Sequence, residues 1–266
     1  MSNKIASGPD FKEMRIEEAR KQKISADLVE CKVDGTCMTF DGQNIISERG
    51  IVRNDRFPHV VTCLKELDWQ VQGEMAISGF GTRVFDVSSS ENWSKARLYI
   101  FNILEIKGHD FRNAPPTEVR QVIEDQMKAH RFQTHSLHIP KKFNTIEDGW
   151  DFVTKHDMEG LVLKNDIGPQ LKVKFMKEGK WEIVGFEPGA VKGSFLLKNP
   201  KTGQVGGMSA LSVGFIDDYN RLLATGEKPY AEFEYMYLTK NNIPFQPRLR
   251  RVFAGSELKS PALIGV

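Results

Sequence analysis
Hydrophobic positions recur along this chain with a period of two in some stretches and near 3.6 in others. From Leu28 to Phe40, a run rich in Val, Thr, Cys and Phe, the pattern predicts a strand that turns sharply at Gly35. Side chains alternate along a strand, so Val29, Cys31 and Val33 fall on one face and Glu30, Lys32 and Asp34 on the other. Before it, Asp10 is placed to cap a helix over Phe11–Lys23, with Phe11, Met14 and Ala19 on one side. After it, Asp41-Gly42 is a hairpin turn, and Asn44–Ser47 is expected to pair back toward Glu48-Arg49-Gly50. Arg53–Pro58 reads as a polar loop, Val60–Leu67 as a helix, Trp69–Ile77 as a strand and Leu98–Ile106 as a buried strand. Gly73 inside the third of these marks a close approach of backbone.

Pro115-Pro116-Thr117 opens a helix that runs to about His130, with Val119, Val122, Ile123 and Met127 as its core stripe. Thr145-Ile146-Glu147-Asp148 has capping-box spacing, and Ile146, Trp150 and Val153 share the face that follows. Glu159 to Lys164 turns abruptly into an apolar strand. Leu171–Phe175 is a further strand with Lys172 and Lys174 on one face. Near Lys177–Lys180 the pattern changes to short strands punctuated by Gly and Pro: Trp181–Phe186, Ser194–Leu197, the turn Asn199–Gly203, and Tyr230–Leu238. One helix, Phe215–Leu223, interrupts them. A small barrel with a lid helix, of OB-fold type, accounts for that half.

Composition adds bounds. The chain has 266 residues, long enough for one large domain or a large and a small one. Its formal net charge of +2 is too mild to require a nucleic-acid partner, so any basic surface must be local. Three cysteines, Cys31, Cys37 and Cys63, form no CxxC pair and read as small apolar residues in a reducing compartment, with no structural zinc. Met1 to Phe11 has no apolar core, and no run is long enough to span a membrane. A soluble, intracellular, cytoplasmic protein with no membrane partner is expected, and a monomer.

The chemistry concentrates at Glu30-Cys31-Lys32-Val33-Asp34-Gly35. A lysine between two carboxylates at the mouth of a turn is either an ion-paired surface residue or a nucleophile, and the remaining segments favour the second. In order along the chain, they resemble the motif set of the covalent nucleotidyltransferases: ATP-dependent DNA ligases, RNA ligases and mRNA capping enzymes. Lys32-Val33-Asp34-Gly35 resembles the nucleotide-accepting motif, Arg49-Gly50 with Arg56-Phe57-Pro58 the second, and Gly73-Glu74 the third. Tyr99 to Leu104 resembles the aromatic motif, Glu159-Gly160-Leu161-Val162-Leu163-Lys164 the fourth, Lys172-Val173-Lys174 the fifth, and Pro247-Arg248 with Arg250 and Arg251 the arginine-rich end of the ligase OB domain.

The resemblance implies an α+β fold, with a nucleotidyltransferase (adenylation) domain of antiparallel, ATP-grasp-like sheets and helices over 1–178 and an OB-fold β-barrel over 179–266. It implies that Lys32 attacks the α-phosphate of ATP and carries AMP, with Lys172 and Lys174 as catalytic partners. Glu30, Asp34, Arg49, Glu74, Phe101 and Glu159 would bind ATP. Glu74 and Glu159 would hold Mg²⁺, and Arg248, Arg250 and Arg251 would contact DNA or pyrophosphate. A lysine with a pKa of about 10.4 is neutral in roughly one molecule in a few thousand at pH 7, so Lys172, Lys174 and the metal are expected to depress it. The expected reaction is sealing of 5′-phosphate/3′-hydroxyl nicks in duplex DNA, in replication or repair. Alternatives are sealing of nicked RNA, or a non-catalytic nucleic-acid binder. Four positions depart from the DNA-ligase pattern: Cys37 replaces an arginine, Gln72 replaces a carboxylate, and Phe245 and Phe253 thin the C-terminal basic series.

Overall fold
The computed structural model describes residues 11–78, 83–131, 135–189, 193–209 and 212–259. The chain divides after Phe175 into two compact units, Met1–Phe175 and Met176–Val266. The second begins three residues earlier than the pattern change suggested, because a long strand already starts at Lys177.

In chain order the first unit contains β1 (Phe11–Met14), α1 (Ile16–Lys21), β2 (Leu28–Lys32), β3 (Thr36–Phe40), β4 (Ile45–Ser47), α2 (Pro58–Leu67) and β5 (Trp69–Ile77). It continues with α3 (Val84–Ser88), β6 (Ala96–Ile106), β7 (His109–Asp110), α4 (Pro116–Ala129), β8 (Leu137–His138), β9 (Lys142–Phe143), α5 (Ile146–Lys155), β10 (Gly160–Lys164) and β11 (Gln170–Lys174). Two sheets result. One has the order β1-β11-β10-β2-β9; the other runs β4-β3-β5-β6-β7, with β8 also paired to β6. Met38, Phe40, Trp69, Val71, Leu98 and Ile100 pack under α2 and α4 in the core of the second sheet. Val29, Cys31, Leu161, Leu163 and Val173 form a separate core with Ile16 of α1 and Val153 of α5.

The pattern and the structure agree closely where local chemistry is strong. β5 has the expected bounds, and the Thr145 hydroxyl accepts the Asp148 amide at 3.0 Å, capping α5. Three expectations need correction. The Phe11–Lys23 helix is half strand, because residues 11–14 find parallel backbone partners at Gln170–Val173. The Leu28–Phe40 strand breaks at Val33–Gly35, its halves lying in different sheets, and Glu30 is as buried as its apolar neighbours. Residues 45–47 take Met38–Phe40 as their strand partner, and the return across the 48–50 turn is limited to Ser47 with Gly50 and Ile51 and a single bridge from Ile46 to Val52.

The second unit contains β12 (Lys177–Glu187), β13 (Ser194–Lys198), β14 (Val205–Ser209), α6 (Val213–Ala224), β15 (Pro229–Tyr235) and β16 (Arg248–Ala254). Its antiparallel sheet has the order β14-β13-β12-β15-β16, with bulges in the β12/β13 and β15/β16 pairings. Phe195, Phe233, Trp181 and Leu222 of α6 lie in its core. The closed OB-type barrel expected from the sequence is not seen: among the described residues this half is an open five-stranded sheet with one helix.

Candidate active site
Lys32 ends β2, and the chain leaves the first sheet for the second within three residues. The turn is tight: a Cβ on Gly35 would collide with the carbonyl of Met75 in β5. Lys32 and Asp34 are thereby held beside Glu74, which sits in register with Cys37 on one side and Tyr99 on the other. On the other sheet Gly160 pairs with Lys32. Gly160 has φ +152°, and a Cβ there would strike the Val173 carbonyl, so the start of β10 lies hard against β11. Glu159, just before it, accepts a hydrogen bond from Lys32 Nζ at 2.5 Å. The two side chains are 16% and 8% exposed.

Charge in this cluster is strongly interdependent. Burial pulls the Lys32 ammonium down, but Glu159, then Glu74 and Asp34, outweigh it and hold the pKa above the ordinary lysine value. The protein's own groups thus raise the Lys32 pKa where a depressed one was expected, because carboxylates lie nearest to it. Burial pushes the Glu74 carboxyl up to about 8; Lys32 opposes this, Glu159 and Asp34 reinforce it, and Lys172 opposes it. Cys37, where an arginine is common in DNA ligases, is pushed up to about 12 by burial, Glu74 and Glu48, and stays a neutral thiol. Cys31 and Cys63 are buried and form no disulfide.

Phe101 reaches this region through a backbone irregularity. Gly73 pairs with Ile100 and Gln72 with Asn102, so Phe101 is an extra residue in β6. Ile100 and Ile103 both stay in the core while Phe101 and Asn102 between them remain half-buried. A bulge re-aims a side chain in just this way. Lys164 Nζ donates to the Phe101 carbonyl at 3.0 Å and lies 5.8 Å from the ring centroid.

Glu30 is 2% exposed and fully engaged: one oxygen takes Arg120 at 2.6 Å, the other Lys164 at 2.6 Å. It acts on Phe101 through Lys164. Sequence reasoning missed Arg120, a buried arginine one residue from the apolar stripe of α4. Only the unexplained carboxylate on a core strand pointed to such a partner. Lys172 and Lys174 share one face of β11; Lys174 is bound by Glu13 at 2.5 Å, and Lys172 lies 4.4 Å from the Phe11 ring centroid. Arg49 is exposed in the turn after β4 and takes no part in the cluster. In the second unit, Arg251 pairs with Glu232 at 2.7 Å and Glu257 at 3.1 Å, Arg250 pairs with Glu234, and Arg248 is exposed at the start of β16.

Among the described residues no cluster of three or more His, Cys, Asp or Glu side chains is placed to hold a metal. Two carboxylates that both act on one lysine, Glu74 and Glu159, nevertheless fit Mg²⁺, which is commonly bound by one or two carboxylates together with substrate phosphates.

Taken together, the two-sheet first unit has the fold of the nucleotidyltransferase domain of ATP-dependent DNA ligases. More particularly, the chain is similar to Lig E DNA ligases, described as binding DNA with a minimal scaffold, with a TM-score of 0.67 and 17% identity over 94% of this chain and 100% of that one. It is similar to Pmar-Lig_PreS3 with a TM-score of 0.67 and 16% identity, over 91% of this chain and 66% of that one. For the ligase domain of M. tuberculosis LigD the TM-score is 0.51 and the identity 15%, over 92% and 94%. At such identities the likeness is one of fold. No protein-family model matches the chain, and no curated protein matches its sequence.

Proposed function
We propose that this protein is an ATP-dependent polynucleotide ligase that seals 5′-phosphate/3′-hydroxyl nicks in duplex DNA through a lysyl-AMP intermediate. The observation that carries the reading is the convergence on Lys32 of Asp34, Glu74 and Glu159, which are far apart in the chain and supplied by two sheets. Phosphoryl transfer depends mainly on positioning and charge, and this cluster provides both. Lys32 Nζ attacks the α-phosphorus of ATP; a P–N bond forms, the bond to the β-phosphate oxygen breaks, and pyrophosphate departs. Glu159 Oε2, already hydrogen-bonded to Nζ, is the acceptor in place for its proton.

In the second step an oxygen of the 5′-phosphate displaces Lys32 from the adenylate. The 3′-hydroxyl then attacks that 5′-phosphate and AMP leaves. Phe101 stacks on the adenine, Glu30 sets Phe101 through Lys164, and Asp34 and Arg49 grip ribose and phosphate. Lys172 and Lys174 stabilise the triphosphate charge. Glu74 and Glu159 would hold Mg²⁺, which would supply charge neutralisation at the phosphates. Residues 1–178 form the adenylation domain, and 179–266 an OB-type domain whose Arg248, Arg250 and Arg251 contact nucleic-acid phosphates. Binding is salt-sensitive and largely blind to sequence. Replication or repair of DNA is the setting such a reaction implies. Cys37 in place of an arginine favours nicked RNA as a second reading.

Mass spectrometry of the protein incubated with ATP and Mg²⁺ tests the proposal. The expected result is one added AMP on Lys32, absent in Lys32→Ala, which keeps its circular dichroism spectrum. An adduct that persists in that variant removes Lys32 from the role, and no adduct in either protein rules out the mechanism. Nicked DNA and nicked RNA offered separately distinguish the two substrates.

A further inference from the structure
The first unit holds a second concave region. A cavity of about 520 Å³ is lined by, among others, Asp55, Arg56, His59, Trp93, Arg97 and Ser136. Neither Arg56 nor Arg97 pairs with a carboxylate among the described residues, and Asp55, the one carboxylate in the wall, is exposed. The Arg56 guanidinium lies 4.7 Å from the Trp93 ring centroid, which fixes its plane. Three polar atoms of lining residues are buried without a hydrogen-bond partner: Arg56 Nε, Trp93 Nε1 and Ser136 Oγ. All three are donors. Buried orphan donors need an explanation, and a cluster of them beside two guanidinium groups that lack a carboxylate partner, Arg97 being held only by the carbonyls of Ser94 and Ala96 among the described residues, fits an acceptor-rich anion. α2 begins in the same wall at Pro58, adding the positive end of a ten-residue helix.

Strand β6 links the cavity to the lysine site: Arg97 lines the cavity, and Tyr99, two residues on, is in register with Glu74. Arg97 and Tyr99 are half-buried on the strand while Ala96, Leu98 and Ile100 lie in the core, so both share the face that Phe101 reaches through its bulge. Tyr99 in turn packs on His138, with ring centroids 5.1 Å apart. Burial and the nearby Arg97 charge both hold the His138 imidazole below its ordinary value, so it adds an aromatic surface rather than a cation. The face therefore runs from aromatic ring to aromatic pair to arginine cavity. Phe101 lies four residue steps from Arg97, roughly 13 Å at about 3.3 Å per residue. That distance corresponds to about three or four base steps at a rise of about 3.4 Å.

We propose that this cavity is a phosphate-binding site which holds the sugar–phosphate backbone of a nucleic-acid strand a few nucleotides from the end presented to Lys32. The inference rests on the ligase reading for its occupant, and Arg97 and Arg56 are binding residues with no part in adenylation. The test compares the full-length wild type with Arg97→Gln and Arg97→Lys. Lysyl-AMP formation is measured first, as a control for folding and for the adenylation site; it is expected to be unchanged in both variants. Binding of nicked duplex DNA is then followed by fluorescence anisotropy across a range of salt concentrations.

Arg97→Gln is expected to weaken binding roughly three- to tenfold and to lower the salt slope by about one, whatever the duplex sequence; Arg97→Lys restores most of the slope. Unchanged affinity and slope in Arg97→Gln overturn the proposal. In a second arm, inorganic phosphate is titrated against Trp93 fluorescence, with Trp93→Phe as the blank. Quenching that nicked duplex relieves by competition supports a backbone phosphate as occupant. Tight phosphate binding that duplex does not displace overturns it in favour of a free anion. A wild type that never forms lysyl-AMP defeats the ligase reading instead, and the Arg97 effect on duplex binding is still read independently.

Discussion

At the residue scale the site is poised by carboxylates. Lys32 carries its proton because three acidic groups surround it, so a substrate that recruits Glu74 and Glu159 elsewhere also frees the amine. Glu74 makes a separate pH prediction. Its folded pKa of about 8 lies above the ordinary 4.5, so the folded state holds a proton that the unfolded chain has already released across that window. The stabilisation is complete below about pH 4.5 and is lost as pH rises through 8. Glu74→Gln removes the dependence. Urea denaturation from pH 5 to 8 is expected to show wild-type stability falling relative to this variant by up to about 1.4 kcal/mol per pH unit. Parallel profiles would mean that Glu74 titrates normally.

At the element scale one buried carboxylate ties four pieces together. Glu30 on β2 binds Arg120 of α4 and Lys164 of β10, and Lys164 binds the β6 bulge at Phe101. Breaking a buried ion pair by removing one partner leaves uncompensated charge, at a cost of about 3–5 kcal/mol. Glu30→Ala is expected to lose stability of that order in chemical denaturation, with weaker nucleotide binding, whereas a loss below about 1 kcal/mol would mean that water reaches the cluster. This ion cluster was illegible in the sequence, since Glu30 reads there as a residue of the open strand face. Period and caps marked β5, α2, α4 and α5 well, because those signals are local. The break at Gly35 and the strand at Phe11–Met14 depend on partners far along the chain, Met75 and Gln170–Val173, which no window of neighbouring residues contains. Lys32, Asp34, Glu74 and Glu159, which the structure brings together, were each marked by an ordered motif, but their mutual electrostatics were not legible: Lys32 is held up rather than down.

At the scale of the whole molecule, both apolar cores of the first unit are built from residues before Met176, and the core of the second from residues after it. A fragment of residues 1–175 is therefore expected to melt cooperatively and, with ATP and Mg²⁺, to protect its β2 and β10 amides in hydrogen exchange. A fragment without a cooperative transition would show that the second unit is needed for the first to fold. No helix among the described residues is long and apolar enough to cross a membrane. The pairing of β1 with β11 carries one more consequence. Glu13 already sits on Lys174, and the Phe11 ring lies against Lys172, so the strand is a resident partner for both amines, a counter-ion for one and an aromatic face for the other. Any anionic substrate that comes to these lysines arrives by exchange rather than by addition. What it gains is the difference between two partners, and the displaced carboxylate, tethered a few residues away, stands ready to return when the product leaves.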